Sequence, residues 1–287
     1  MRADILLVER GLAPSRTAAQ RLIAGGHVFT RVGRKGTRVA LTKPGVTLDD
    51  DVAIEVEASE LNRFVSRGGL KLDGALARVG LDVTGLRCLD VGQSTGGFTD
   101  CLLQRGAAQV VGVDVGHDQL HPSLRDDVRV IAIESVNARE LTAATPGVAG
   151  NFDLIVADVS FISLTKVLPQ WPALLAPGGH VLSLVKPQFE VGAENVARGG
   201  IVRDASLYAM VETSTREACA VVGLGVLDYF ESPITGSDGT ARPGTRNPSE
   251  STYPGRIASP ATARRMPSIL ATCTPRRSTS TDGMNTT

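Results

Sequence analysis

Leu89-Asp90-Val91-Gly92-Gln93-Ser94-Thr95-Gly96-Gly97-Phe98-Thr99 is the stretch on which the reading of this 287-residue chain turns. An apolar run beginning at residue 87 reaches a carboxylate, passes through a glycine-rich turn and enters a helix-forming segment. Glycines in such a turn let the backbone approach a ligand closely. The G-x-G-x-x-G spacing of dinucleotide sites is absent, because Ser94 stands at the second glycine position. Asp90, at the strand end, would repel a pyrophosphate and attract a cation. S-adenosylmethionine suits that polarity: it has no phosphate, carries a sulfonium and an ammonium, and its carboxylate can take backbone N–H groups near a helix start. Asp114 closes the next strand, 24 residues on, where an acid can accept ribose hydroxyls. The candidate cofactor residues are therefore Asp90, Gly92, Ser94, Thr95, Gly96, Gly97, Phe98, Thr99, Asp114 and Val115.

Working outward, buried-type strands are predicted at 87–91, 109–114, 128–133, 152–157, 180–185 and 225–230. Helical stretches are predicted between most of them, at about 97–105, 117–125, 162–175 and 205–222, with Pro169 and Pro172 shortening the 162–175 stretch. This alternation predicts an α/β, Rossmann-like fold with a parallel sheet. Upstream, residues 1–60 read as a small α+β module. Its first helix draws on Ile5, Leu6, Val8 and Leu12. Ser15 caps a second helix that ends at Gly25-Gly26, and short β segments follow at 28–32, 39–41 and 52–56. Residues 61–80 connect this module to the domain at 81–236 through a helix with Leu72, Leu76 and Val79 on its apolar side.

Thirty basic and thirty acidic residues give a net charge of zero, but they are segregated. Residues 1–48 carry +7, residues 49–236 carry −11, and residues 237–287 carry +4. A basic head suits a phosphate backbone, and Arg16, Arg21, Arg34, Lys35, Lys43, Arg63 and Arg67 are the candidate RNA contacts. The four cysteines show neither zinc-ligand nor disulfide spacing, and no metal site is predicted. No signal-type or membrane-spanning apolar run occurs, which predicts a cytoplasmic protein without a membrane partner.

Ligands of an open α/β sheet bind beyond the carboxyl ends of its strands. Asp158 closes the 152–157 strand and Lys186 the 180–185 strand, beside the cofactor turn. A ribose hydroxyl must lose a proton as it attacks a sulfonium methyl. A lysine with a lowered pKa can take that proton, with a nearby Asp to orient it and Lys71 as a neighbouring cation. An Asn-Pro-Pro-Tyr-like motif, typical of amine methylation, and a catalytic cysteine, typical of carbon methylation, are both missing after these strands.

Residues 1–236 resemble the TlyA family, many of whose members carry the label haemolysin A. The match lies in Ser15-Arg16, Val65 through Leu72, Asp90 through Thr99, Ala157 through Ser163, and Val185 through Glu190. The resemblance implies an RNA-binding head of the ribosomal small-subunit protein four type joined to an FtsJ-like methyltransferase domain. It further implies S-adenosylmethionine-dependent 2′-O-methylation of cytidine in ribosomal RNA, with ribosomal subunits as partners. It implies a Lys-Asp-Lys-Glu tetrad whose first three members fall on Lys71, Asp158 and Lys186. The fourth falls near Arg242, which is not an acid. Residues 237–287 hold seven Ser, ten Thr and six Pro and no Lys. They are expected to be disordered, to follow a reading-frame change near 237–241, and to leave the sheet without its last strand, with lower stability and activity. The competing functions are a non-catalytic ribosomal-RNA-binding protein and a membrane-active haemolysin. Oligomeric state is left open.

Overall fold

In the computed structural model, which describes residues 1–13, 15–32, 36–57, 63–232 and 269–275, the head begins with α1 (Ala3–Glu9) and α2 (Arg16–Ala24). Ser15 Oγ accepts from the Ala18 amide at 3.2 Å, and the chain leaves α2 at Gly25, as the sequence predicts. Strands β1 (Val28–Val32), β2 (Thr37–Ala40) and β3 (Ile54–Val56) form an antiparallel sheet in the order β2-β1-β3. Leu7, Leu22, Ile23 and Val28 close a small core of their own.

Asp4 is fully buried beneath this head. Its carboxylate accepts from Arg2 Nε at 3.0 Å, Arg16 Nε at 2.9 Å and Gln20 Nε2 at 2.7 Å. The hydrogen bond from Arg2, then those from Gln20 and Arg16, hold the Asp4 carboxyl well below the usual carboxylate range. An unfolded Asp titrates near 3.8. The stabilisation is therefore complete at neutral pH and is lost as the pH falls below about 4. Asp4→Asn is expected to lower the melting temperature at pH 7 and to flatten its decline on acidification. Thermal melts from pH 7 to pH 3 check this; a variant that tracks the parent at every pH would refute it.

The larger unit starts with α3 (Arg67–Val79), followed by β4 (Arg87–Val91), α4 (Gly97–Gln104), β5 (Gln109–Val113), α5 (Pro122–Arg125), β6 (Val130–Ile133), β7 (Phe152–Ala157) and β8 (Leu175–Val185). The pair β9 (Val196–Ala197) and β10 (Ile201–Val202), helix α6 (Ser206–Val221), β11 (Leu224–Glu231) and β12 (Ile269–Pro275) complete it. The sheet runs β11-β12-β8-β7-β4-β5-β6. Strands β4 to β8 pair in parallel, and β12 is antiparallel to both neighbours. In β7, Leu154 and Val156 enter one core cluster and Ile155 and Ala157 the other. Both faces are covered, which is why the strands are mostly apolar on both faces, as in Leu154-Ile155-Val156-Ala157 of β7.

Three expectations change. The 162–175 stretch is not a helix but three 3₁₀ turns, at Leu164–Lys166, Leu168–Gln170 and Pro172–Leu174. Pro169 and Pro172 lack the N–H groups a continuous helix needs, yet the turns still bury Leu168 and Trp171. The 117–125 helix contracts to α5, which starts at Pro122. The largest correction is at the end of the chain. The sheet does not lack its last strand, and residues 269–275 are not disordered: β12 sits between β8 and β11, pairing Ile269 with Val185 and with Glu231. The unpaired ladders of β8 and β11 leave a slot for one antiparallel strand, and Ile and β-branched Thr suit it. The expected exposed edge, and the low stability argued from it, therefore fall away. The remainder of the expected disordered tail (237–268 and 276–287), including the frame-change region and Arg242, lies outside the described residues, as do residues 233–236.

Candidate functional site

At the carboxyl end of β4 the backbone turns through Gly92 at φ 87° and Ser94 at φ 47°. A Cβ on Gly92 would stand 3.0 Å from the Asp158 carbonyl oxygen, so only glycine lets the turn pass beneath β7's end. Gly97 starts α4 against α3: a Cβ there would fall 2.1 Å from Ser66 Oγ and 3.0 Å from the Gly69 nitrogen. This close approach of two helix starts carries Lys71, on the first turns of α3, to the mouth of the sheet.

Asp114 Oδ2 accepts from the Ser94 amide and Oδ1 from the Gly116 amide, each at 2.7 Å. The carboxylate is half-buried, keeping lone pairs for a ligand, and Val115 beside it is 74% exposed, an apolar surface with nothing covering it. Asp90 and Thr99 are fully buried, which makes them a floor beneath the turn and not part of its surface. Thr99 donates to Asp90 Oδ2 at 2.7 Å, and Gln93 Nε2 donates to Thr99 at 2.9 Å. Asp90 Oδ1 has no protein partner. Burial, aided by the Asp158 and Asp114 carboxylates and opposed by Thr99, pushes the Asp90 carboxyl up to about 7.

Lys186 Nζ lies 2.5 Å from Asp158 Oδ1, and Lys71 Nζ lies 3.7 Å from Asp158 Oδ2. Lys186 also donates to Ser160 Oγ at 2.6 Å, a partner that sequence reasoning passed over although it lies two residues beyond Asp158. The three charged side chains are only 12–22% exposed, so their interactions are weakly screened. Burial lowers the Lys71 pKa; Asp158 opposes this, while Lys186 and Arg67 add to it. The three groups, with Ser160, Gly92 through Thr95, Gly97 and Phe98, line a cavity of about 250 Å³. Gly96 sits behind it, where a Cβ would meet Leu124 and Leu120.

The candidate RNA contacts divide. Arg16 is tied to Asp4 at 2.9 Å and Arg63 to Asp73 at 2.7 Å, so each holds its own fold together. Lys43 is exposed on the head. Arg34 and Lys35 lie outside the described residues. Arg21 and Arg67 line a groove of about 830 Å³ between α2 and α5, with His121 and Arg125 on its far wall. Through Arg67, Ser94 and Thr95 it opens into the cavity around Lys186. Among the described residues no cluster of three potential metal ligands occurs, and no helix is long and apolar enough to cross a membrane.

The profile of the FtsJ-like methyltransferase family matches residues 64–242, a span that holds the glycine turn and both lysines. The chain belongs to that family. This FtsJ-like methyltransferase also matches the S4 domain over residues 1–29. It is 45% identical to the YqxC protein of Bacillus subtilis, over 83% of this chain and 82% of that one. It is 43% identical to the 16S/23S rRNA (cytidine-2′-O)-methyltransferase TlyA of Mycobacterium tuberculosis, over 83% and 86%. A solved structure of a hemolysin-named protein from Streptococcus thermophilus superposes with a TM-score of 0.65 at 36% identity, covering 95% of this chain and 87% of the other.

Proposed function

We propose that this FtsJ-like methyltransferase transfers a methyl group from S-adenosylmethionine to the ribose 2′-hydroxyl of a cytidine in ribosomal RNA, in the cytoplasm. The observation that carries the reading is the convergence of Lys71, Asp158 and Lys186 on one cavity beside the glycine turn. The relative from Mycobacterium tuberculosis named for this reaction supports it. The cradle fits the cofactor: the buried Asp90 carboxyl beneath the turn puts acid charge under a cation without touching it, Asp114 suits a diol, and exposed Val115 suits a flat ring. Gly92, Ser94, Thr95, Gly97 and Phe98 would hold the rest, with Gly96 shaping the turn from behind. When bound, S-adenosylmethionine supplies an electrophilic methyl on a cationic sulfur.

The chain's own part is proton transfer and alignment. Lys186 Nζ accepts the proton of the incoming hydroxyl while its contacts with Asp158 and Ser160 hold it in place. Asp158 fixes that amine, and Lys71 places a second cation across the same carboxylate. Holding the hydroxyl in line contributes much of the rate. β12 brings no carboxylate to this group, since no acid occurs between Glu250 and Asp282, so among the described residues the reading rests on these three side chains. Arg21 and Arg67 guide the RNA along the groove between α2 and α5. The test is methyl transfer to purified ribosomal subunits, followed by mass-spectrometric mapping. A 2′-O-methylcytidine is expected; methylation on a base, or none while the cofactor binds, would sink the reading.

Asp90 adds a pH dependence. Its carboxyl titrates near 3.8 unfolded and at about 7 in the fold. The folded state therefore holds the extra proton between these values, and ligand-free stability declines as the pH rises across that window. Above it the ionised carboxylate, buried beneath the turn, attracts the cationic cofactor through the turn rather than by contact. Calorimetric affinity for S-adenosylmethionine is expected to rise between pH 6 and pH 8, by roughly tenfold or less for one such group. Asp90→Asn should reduce that slope, and an equal slope in both proteins would show that Asp90 is not its source.

A further inference from the structure

Cys219 on α6 and Cys273 on β12 place their sulfurs 3.5 Å apart. Both side chains are buried, at 1% and 2% exposure, and both are free thiols. They share one core cluster, whereas Cys88 and Cys101 belong to the cluster on the other face of the sheet. No third metal-ligating group joins them among the described residues, which leaves thiol chemistry as what the contact can do. We propose that Cys219 and Cys273 form a redox modification site, a disulfide that ties β12 to α6 when the protein meets a peroxide.

The neighbourhood favours Cys219 as the first sulfur to react. The hydrogen bond from Cys273, aided by Arg216 one turn earlier on α6, lowers the Cys219 pKa against the effect of burial. The Cys219 thiolate attacks one peroxide oxygen, and the O–O bond breaks. The departing hydroxide takes a proton and leaves as water, and Cys219 becomes a sulfenic acid. Cys273 sulfur then attacks the Cys219 sulfur, and the sulfenic oxygen leaves with the Cys273 proton as a second water. Two thiols are oxidised by two electrons and one hydrogen peroxide is reduced to two waters. Closing the bond draws the sulfurs together by about 1.5 Å, to the usual separation near 2 Å.

The link has a structural consequence. β12 lies against β8 up to Val185, the residue before Lys186, so the disulfide would pin the strand that flanks the catalytic lysine. The test treats the purified full-length protein with hydrogen peroxide, alkylates the remaining thiols and maps the peptides by mass spectrometry. A peptide pair joining Cys219 to Cys273, short of two hydrogens and released by a dithiol reductant, is expected in large excess over pairs containing Cys88 or Cys101. Fully alkylated thiols after oxidation, or a statistical mixture of all pairings, would overturn the proposal. Cys219→Ser and Cys273→Ala each should abolish the link while the reduced proteins keep their thermal melt. If the surviving cysteine of the pair instead joins Cys88 or Cys101 as readily, the contact is not a built site.

Discussion

Lys186→Ala is expected to lower methyl transfer to ribosomal subunits by roughly 10³-fold, within the 10²–10⁴ range of a positioned general base. The lysine is the one group in the cavity that holds Asp158 at 2.5 Å and Ser160 at 2.6 Å together. Its removal therefore deletes the proton acceptor and frees both partners. Affinity for S-adenosylmethionine and for the subunits should change little, because Lys186 Nζ contacts Asp158 and Ser160, while Asp114 holds the glycine turn through the Ser94 amide and Arg21 lines the separate groove. Single-turnover kinetics with separate binding measurements distinguish the two effects. A variant that binds normally and turns over at the parent rate would remove Lys186 from the mechanism. A variant that loses subunit binding in step with turnover would make it a binding residue. The same experiment separates an enzyme from a ribosome-binding protein without activity, since only the enzyme loses a function in the variant.

Thr272→Pro is expected to destabilise the protein by about 3 kcal/mol, the upper end of the roughly 1–3 kcal/mol cost of the buried carbonyl left unpaired when a proline removes a ladder N–H from an interior strand. Thr272 pairs with Leu182 on one side and Asp228 on the other, and its hydroxyl accepts from the Asp228 amide at 3.1 Å. β12 is an interior strand of the sheet, so a break there disturbs β8 and β11 together. For a domain of this size that loss corresponds to a melting temperature lower by roughly 6–12 °C. Thermal melts followed by circular dichroism measure it. An unchanged melting temperature would mean that β12 does not belong to the cooperative unit. The catalytic rate should fall as well, since β12 abuts β8 next to Lys186.

Much of the site could be read from residue order because its parts are local. The turn from Asp90 to Thr99 is one contiguous strand–turn–helix unit, and its glycines declare a backbone that side chains cannot adopt. Asp114, Asp158 and Lys186 were placed by a single topological rule: each ends a parallel strand, and all such ends point to one rim. Their mutual distances lay beyond that rule. Lys71 reaches Asp158 only because glycines at 69 and 97 let α3 and α4 touch. Ser160 joins only because the loop after β7 folds back over Lys186. The arginines were the least legible. A positive charge looks the same in a sequence whether it meets RNA or an acid of its own fold, and Arg16 and Arg63 meet Asp4 and Asp73.

The end of the chain marks the boundary most sharply. Apolar strands covered on both faces announce themselves by composition, and so β4, β5 and β7 were legible as runs of Val, Leu and Ile. β12 is short, its Ile269, Leu270, Ala271 and Cys273 are interrupted by two Thr and end at Pro275, and it is embedded in a Ser/Thr/Pro/Arg-rich segment that gives it no strand period or turn signals of its own. What makes it a strand is the open ladder on β8 and β11, a property of residues some forty to ninety positions away. The sequence by itself determined the α/β class, the glycine turn after β4 and the charged groups at the strand ends, because each rests on local backbone chemistry and periodicity. Only the tertiary structure decided which lysines share Asp158, which arginines are committed, and that β12 completes the sheet. These depend on surfaces made by distant segments, and a linear pattern carries no record of how such surfaces meet.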